Sequence, residues 1–148
     1  MDQFVSNFSN ATEIQLVPAV RDPKGACIDE HNCDYERYTV CAFNNQSFAA
    51  QFKFLECMDA PWSDPLTMKK PEKCAKTIDS MDWSRIQACY DGELGLQLLQ
   101  AAAKVFVAQF PKSSYMPQVA VNGKVIDASY SSMKDAVCAA GAQAAACN

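Results

Sequence analysis

Eight cysteines, Cys27, Cys33, Cys41, Cys57, Cys74, Cys89, Cys138 and Cys147, are spread through this 148-residue chain, and no two stand in the C-x-x-C spacing of a reactive redox pair. An even, dense set makes disulfide pairing the first hypothesis, and with it a fold tied at several points in an oxidising compartment. Zinc is the poorer alternative. A structural zinc site wants two closely spaced ligand pairs, whereas the nearest cysteines are six residues apart and His31 is the only histidine. Connectivity stays open from the sequence; Cys138 with Cys147 is the first pair to expect, because a helix end and its tail return easily over eight intervening residues.

Asn7-Phe8-Ser9, Asn10-Ala11-Thr12 and Asn45-Gln46-Ser47 all fit the N-x-[ST] glycosylation pattern. Three such triplets beside eight cysteines support one another and point to the endoplasmic reticulum, cell surface, lysosome or exterior. Met1 to Asn10 nevertheless has neither a basic n-region nor an apolar h-region, so the chain shows secretory chemistry without a signal peptide. No run approaches the roughly 18 apolar residues of a membrane span. Even Gly92 to Phe110 carries Glu93, Gln97, Gln100, Lys104 and Gln109, so a soluble product is expected. A net charge of -4 and a pI near 4.9 argue against nucleic-acid partners, and the one basic group, Lys69, Lys70, Lys73 and Lys76, reads as a solvated helix start. A hydrophobic content of 49% suffices for one cored domain over residues 1–148.

Along the chain, Ile14, Leu16 and Val17, closed by Pro18, predict a short buried strand over 13–17. Residues 21–32 read as polar loop. Asp34 is placed to cap a helix through Tyr38, Cys41 and Ala42, broken at Asn44-Asn45, and Ser47 to Met58 forms a second helix with Phe48, Phe52 and Leu55 on one face. After a proline-containing loop from Asp59 to Lys70, Pro71 starts a short helix to Thr77. Asp82 caps another from Trp83 to Tyr90, and Glu93 to Ala108 makes a longer one stopped by Pro111. The period then falls to two. Val119-Ala120-Val121, Asn122-Gly123 and Lys124-Val125-Ile126 predict a hairpin with a type I′ turn, whose two central residues need positive φ. A last helix runs from Ser131 to Ala139. The order of strand, helical block, long helix, hairpin and helix is an α/β layout with something missing at the front.

These residues resemble the gamma-interferon-inducible lysosomal thiol reductase family. The resemblance lies in Leu16-Val17-Pro18, the triple Cys27, Cys33, Cys41, the Cys57-Met58 pair, Cys74, and Ile86-x-x-Cys89-x-x-Gly92-x-x-Gly95-x-x-Leu98. It continues through Pro117-x-Val119-x-Val121-Asn122-Gly123-Lys124 to Cys138 and Cys147. It implies a thioredoxin-like α/β fold with an inserted, disulfide-braced helical block at 33–92, and all eight cysteines in four structural bridges. It also implies a lysosomal or secreted thiol reductase that needs no cofactor and acts on disulfide-containing or unfolded protein substrates.

Two departures bear on that activity. The family's C-Q-H-G-x2-E-C-x2-N-x4-C signature is replaced by Cys27-Ile28-Asp29-Glu30-His31-Asn32-Cys33, one residue shorter, with Glu36 where the asparagine belongs. His31 is either the displaced family histidine or, by the preferred reading, a loop residue. More consequential, the family's first strand and the C-x-x-C heading its first helix have no counterpart, and Met1 to Phe8 matches only the end of that helix. Exchange needs an attacking thiolate and a resolving cysteine three residues on, the first acidified by a helix N-terminus, and none of the eight cysteines is expected in that setting. The expectation is an N-terminally truncated member, inactive as written. In the family, the proline opening the third strand is cis and faces extended substrate, so Met116, Pro117 and Gln118 are the expected substrate groove; a trans proline at a strand's first residue is the plainer alternative.

Two other functions compete. One is a redox-dead module of the same fold that binds a peptide or another chain without turnover. The other, a saposin-like lipid-binding helical domain, is disfavoured by the predicted hairpin. Trp62, Trp83, Phe48, Phe52 and Phe54 read as packing residues.

Overall fold

The computed structural model describes residues 2–20, 33–60, 69–112 and 116–148. The elements are α1 (Asp2–Phe8), α2 (Asp34–Phe43), α3 (Phe48–Asp59), α4 (Lys69–Lys76), α5 (Trp83–Asp91), α6 (Glu93–Gln109), β1 (Val119–Val121), β2 (Lys124–Ile126), α7 (Tyr130–Ala139) and a 3₁₀ turn at Ala145–Cys147. They fall into two compact units, Leu16–Val107 and a second built from Met1–Gln15 with Ala108–Asn148. Helix dominates, and the sheet among the described residues has two strands.

In the first unit, local chemistry sets the helix ends. The Ser47 hydroxyl accepts from Ala50 N–H to start α3, and Asp82 accepts from Ser84 N–H to start α5. Asn45 takes positive φ (60°) in the α2–α3 turn, as asparagine tolerates best. The Gln51 side chain secures that turn by donating to the carbonyls of Phe43 and Gln46. Gln46 then donates to Ser80 O at 3.1 Å while Ser80 Oγ donates back to Gln46 Oε1 at 2.8 Å. Tyr38, Cys41, Ala42, Phe54, Ile78 and Ile86 build one core, in which Phe54 and Cys74 are wholly buried. Burying a phenylalanine such as Phe54 contributes about 1.5–3 kcal/mol. Cys41–Cys89 ties α2 to α5, and Cys57–Cys74 ties α3 to α4. A smaller cluster of Val20, Cys33, Val40, Leu99, Ala102 and Ala103 lies on α6.

The second unit packs α1 on α7 through Phe4, Phe8, Met133 and Val137, with the Phe4 and Phe8 rings 4.8 Å apart. Cys138–Cys147, the bridge expected first, fastens the 3₁₀ turn to the end of α7. Val119 pairs with Ile126, Ala120 with Val125 and Val121 with Lys124. Asn122 (φ 49°) and Gly123 (φ 80°) supply the two positive φ angles that the tight turn demands.

Three expectations are corrected. Residues 13–17 form no strand: Ile14 packs with the α1–α7 core and Val17 with the Val20 cluster, and no described strand offers them a ladder. An apolar run is a strand only when a neighbour takes its backbone hydrogen bonds. Asp34 is not the cap of α2 but its first residue; Cys33 holds the cap position in the left-handed region (φ 55°) with no side-chain cap bond. Helix α4 begins at Lys69 rather than Pro71, which sits fully buried in the first turn, where its missing N–H costs no helical bond.

Candidate polypeptide-binding site

The segment leading into β1 is the most accessible part of the residues expected to hold substrate. Met116 is 40% exposed, Pro117 is exposed and Gln118 is half-buried. The Met116–Pro117 peptide bond is cis. An exposed thioether beside a proline and an amide offers adaptable apolar contact next to polar groups. Downstream, Val119, Val121 and Ile126 face the α1–α7 core, which turns Val125 outward at 49% exposure. A hollow of about 260 Å³ opens between the hairpin and α7, with Val121, Lys124 and Ile126 on one side and Ala136, Ala139 and Ala140 on the other. It is smaller than most small-molecule sites, roughly 300–1,000 Å³.

The described cysteines offer no free thiol. Cys33, Cys41, Cys57, Cys74, Cys89, Cys138 and Cys147 are all disulfide-bonded, and no described cysteine is free. Cys27 and His31 lie outside the described residues, as does Trp62. One cysteine does stand where a reactive thiol is usually found, contrary to expectation: Cys33, at the N-terminus of α2. It is bridged and 4% exposed, which denies it the access that exchange needs.

A cluster that sequence reading missed surrounds the Cys41–Cys89 bridge. The Tyr90 hydroxyl donates to Asp34 Oδ1 at 2.5 Å, and the Tyr38 hydroxyl donates to Gln87 Oε1 at 3.1 Å. Arg37 Nη2 donates to Gly92 O at 3.1 Å while its guanidinium lies 4.8 Å from the Tyr90 ring centroid. The Tyr38 and Tyr90 rings stack at 3.9 Å, and Trp83 stacks on Tyr38 at 5.5 Å. Its signal in the sequence is faint: Asp34, Arg37 and Tyr38 share one helix face, and Gln87, Tyr90 and Asp91 another.

Burial, then the bond to the Asp34 carboxylate, pushes the Tyr90 phenol up to about 12. Burial raises Tyr38 as well. Both phenols stay protonated donors at any physiological pH, which suits a brace and not a nucleophile. Because the fold raises the Tyr90 pKa, its contribution to stability is complete below the ordinary tyrosine value of 10.0 and is lost as pH rises to about 12. Tyr90→Phe is expected to lower stability by about 1 kcal/mol near neutrality and to flatten this alkaline decline. Urea midpoints measured across that pH range check both effects.

Asn7, Asn10 and Asn45 are all exposed. No group of three or more metal-ligating side chains occurs among the described residues. No described helix is long and apolar enough to cross a membrane. The chain matches no family model, no curated protein and no solved structure. The resemblance to thiol reductases therefore rests on the residues quoted for it.

Proposed function

We propose that this chain is a disulfide-braced, thioredoxin-like module of the thiol-reductase type that holds disulfide-containing or unfolded polypeptide at Met116, Pro117 and Gln118. One observation carries this reading. Every described cysteine is locked in a bridge, while the segment expected to meet substrate stands exposed. Binding is then separated from chemistry: thiol–disulfide exchange of the reductase kind belongs to a C-x-x-C, which these 148 residues do not contain. The bridges and the three sequons support an oxidising setting, lysosomal or secreted. The hairpin followed by α7 is the part of the chain that fits the closing half of a thioredoxin-like sheet.

The second reading is a working reductase, favoured by the place of Cys33 at a helix N-terminus. A denatured, disulfide-bonded substrate separates the two when binding and turnover are followed together at mildly acidic and neutral pH. The expected result is saturable binding without reduction, weakened about tenfold, some 1.4 kcal/mol, by Met116→Asp. Turnover abolished by Cys33→Ser would overturn the module reading in favour of the second; absence of binding would overturn the assignment of 116–118.

A further inference from the structure

We infer that Asn10 and Asn45 carry N-linked glycans and that Asn7 does not. The inference rests on the secretory setting proposed above, and it divides three triplets that look equivalent in sequence. The chemistry is transfer from a lipid-pyrophosphate-linked oligosaccharide. An N–C1 bond forms at the asparagine Nδ2, the sugar C1–O bond breaks, the pyrophosphate leaves with the electron pair, and the amide nitrogen gives up one proton.

Asn10 lies in the turn just past the end of α1 and Asn45 in the turn between α2 and α3, both exposed. Among the described residues no group holds either carboxamide, so a sugar on either nitrogen displaces no contact there. Thr12 Oγ1 donates to Phe8 O, and Ser47 Oγ accepts from Ala50 N–H, so the hydroxyls of both triplets settle into helix-end bonds that leave the asparagines outward.

Asn7 differs in three ways. It sits inside α1, and its Nδ2, the atom that would take the sugar, donates to the Tyr130 hydroxyl on α7 at 2.9 Å. The middle residue of its triplet, Phe8, is wholly buried in the α1–α7 core. Asn7 also precedes Asn10 by only three residues of chain, so that two oligosaccharides would crowd each other. A glycan added to Asn7 on the nascent chain would remove a donor from the α1–α7 contact and place bulk beside the segment that must bury Phe4 and Phe8.

The test is secretion of the full chain from eukaryotic cells behind a cleavable leader. Peptide mapping then follows enzymatic deglycosylation, which converts each glycosylated asparagine to aspartate. Two converted sites are expected, Asn10 and Asn45. Asn10→Gln and Asn45→Gln should each remove one glycan from the intact mass, Asn7→Gln none, and the first two together all of them. Conversion at Asn7 in the wild-type chain overturns the inference, as does secreted protein bare at Asn10 or Asn45. A glycan that moves to Asn7 in Asn10→Gln without lowering the denaturation midpoint overturns the packing argument. None of these outcomes touches the binding and turnover measurements, so a failure here is separable from failure of the polypeptide-binding reading.

Discussion

Replacing Cys41 and Cys89 together by alanine is expected to lower the unfolding free energy by about 4 kcal/mol, the largest loss among the three bridges described above. The bridge spans 48 residues of sequence, and a cross-link destabilises the unfolded chain roughly in proportion to the logarithm of the loop it closes. The same estimate gives about 3 kcal/mol for Cys57–Cys74, across 17 residues, and about 2.5 kcal/mol for Cys138–Cys147, across 9. Context widens the gap. Cys41 and Cys89 are 5% and 8% exposed within the core of the helical block, so alanine also removes two packed sulfurs, whereas Cys138 and Cys147 are only half-buried. Denaturant titrations of the three double-alanine variants should rank their midpoints in this order. If Cys138→Ala with Cys147→Ala proved the most damaging, chain entropy would not be what these bridges chiefly supply.

The second large effect is Gly95→Ala, expected to cost about 1–3 kcal/mol and to fall at the upper end. Gly95 is the third residue of α6 and is buried against the end of α5. A Cβ there would sit 2.5 Å from the Cys89 carbonyl oxygen, 2.9 Å from Arg37 Nε and 3.3 Å from Cys41 Sγ. The nearest of these is backbone, which cannot swing aside as a side chain can. Relief would have to come from separating α5 and α6, straining the Arg37–Gly92 hydrogen bond and the cystine together. In the variant lacking Cys41 and Cys89 sulfurs the Gly95→Ala cost should drop by no more than about 1 kcal/mol, because the carbonyl of residue 89 remains. A larger drop would identify the sulfur as the obstacle.

Features governed by neighbouring residues were readable in advance. Asp82 before Trp83, Ser47 before Phe48, and Asn122-Gly123 between valine-rich runs each specify their geometry within four residues, and each stands where expected. The 13–17 segment failed for the opposite reason. Its apolar pattern is real, but strand formation depends on a partner that no local pattern supplies. Likewise the Asp34–Tyr90 bond joins residues 56 apart in sequence, and nothing around either one announces the other. Of the expected groove, Met116 and Pro117 are exposed and Gln118 is half-buried. That Cys33 would take the left-handed cap of α2 was hidden because Asp34, the better capping residue by type, stands beside it.

The bridges Cys41–Cys89 and Cys57–Cys74 are nested, the second lying wholly inside the span of the first. A protease that severs one peptide bond anywhere between Ala42 and Ala88 leaves its two fragments covalently joined, and a cut between Met58 and Lys73 leaves them joined twice. In a degradative compartment such a nicked chain keeps its mass until a reductant arrives. Scission of the backbone and dispersal of the pieces thereby become separate events, the second governed by thiols.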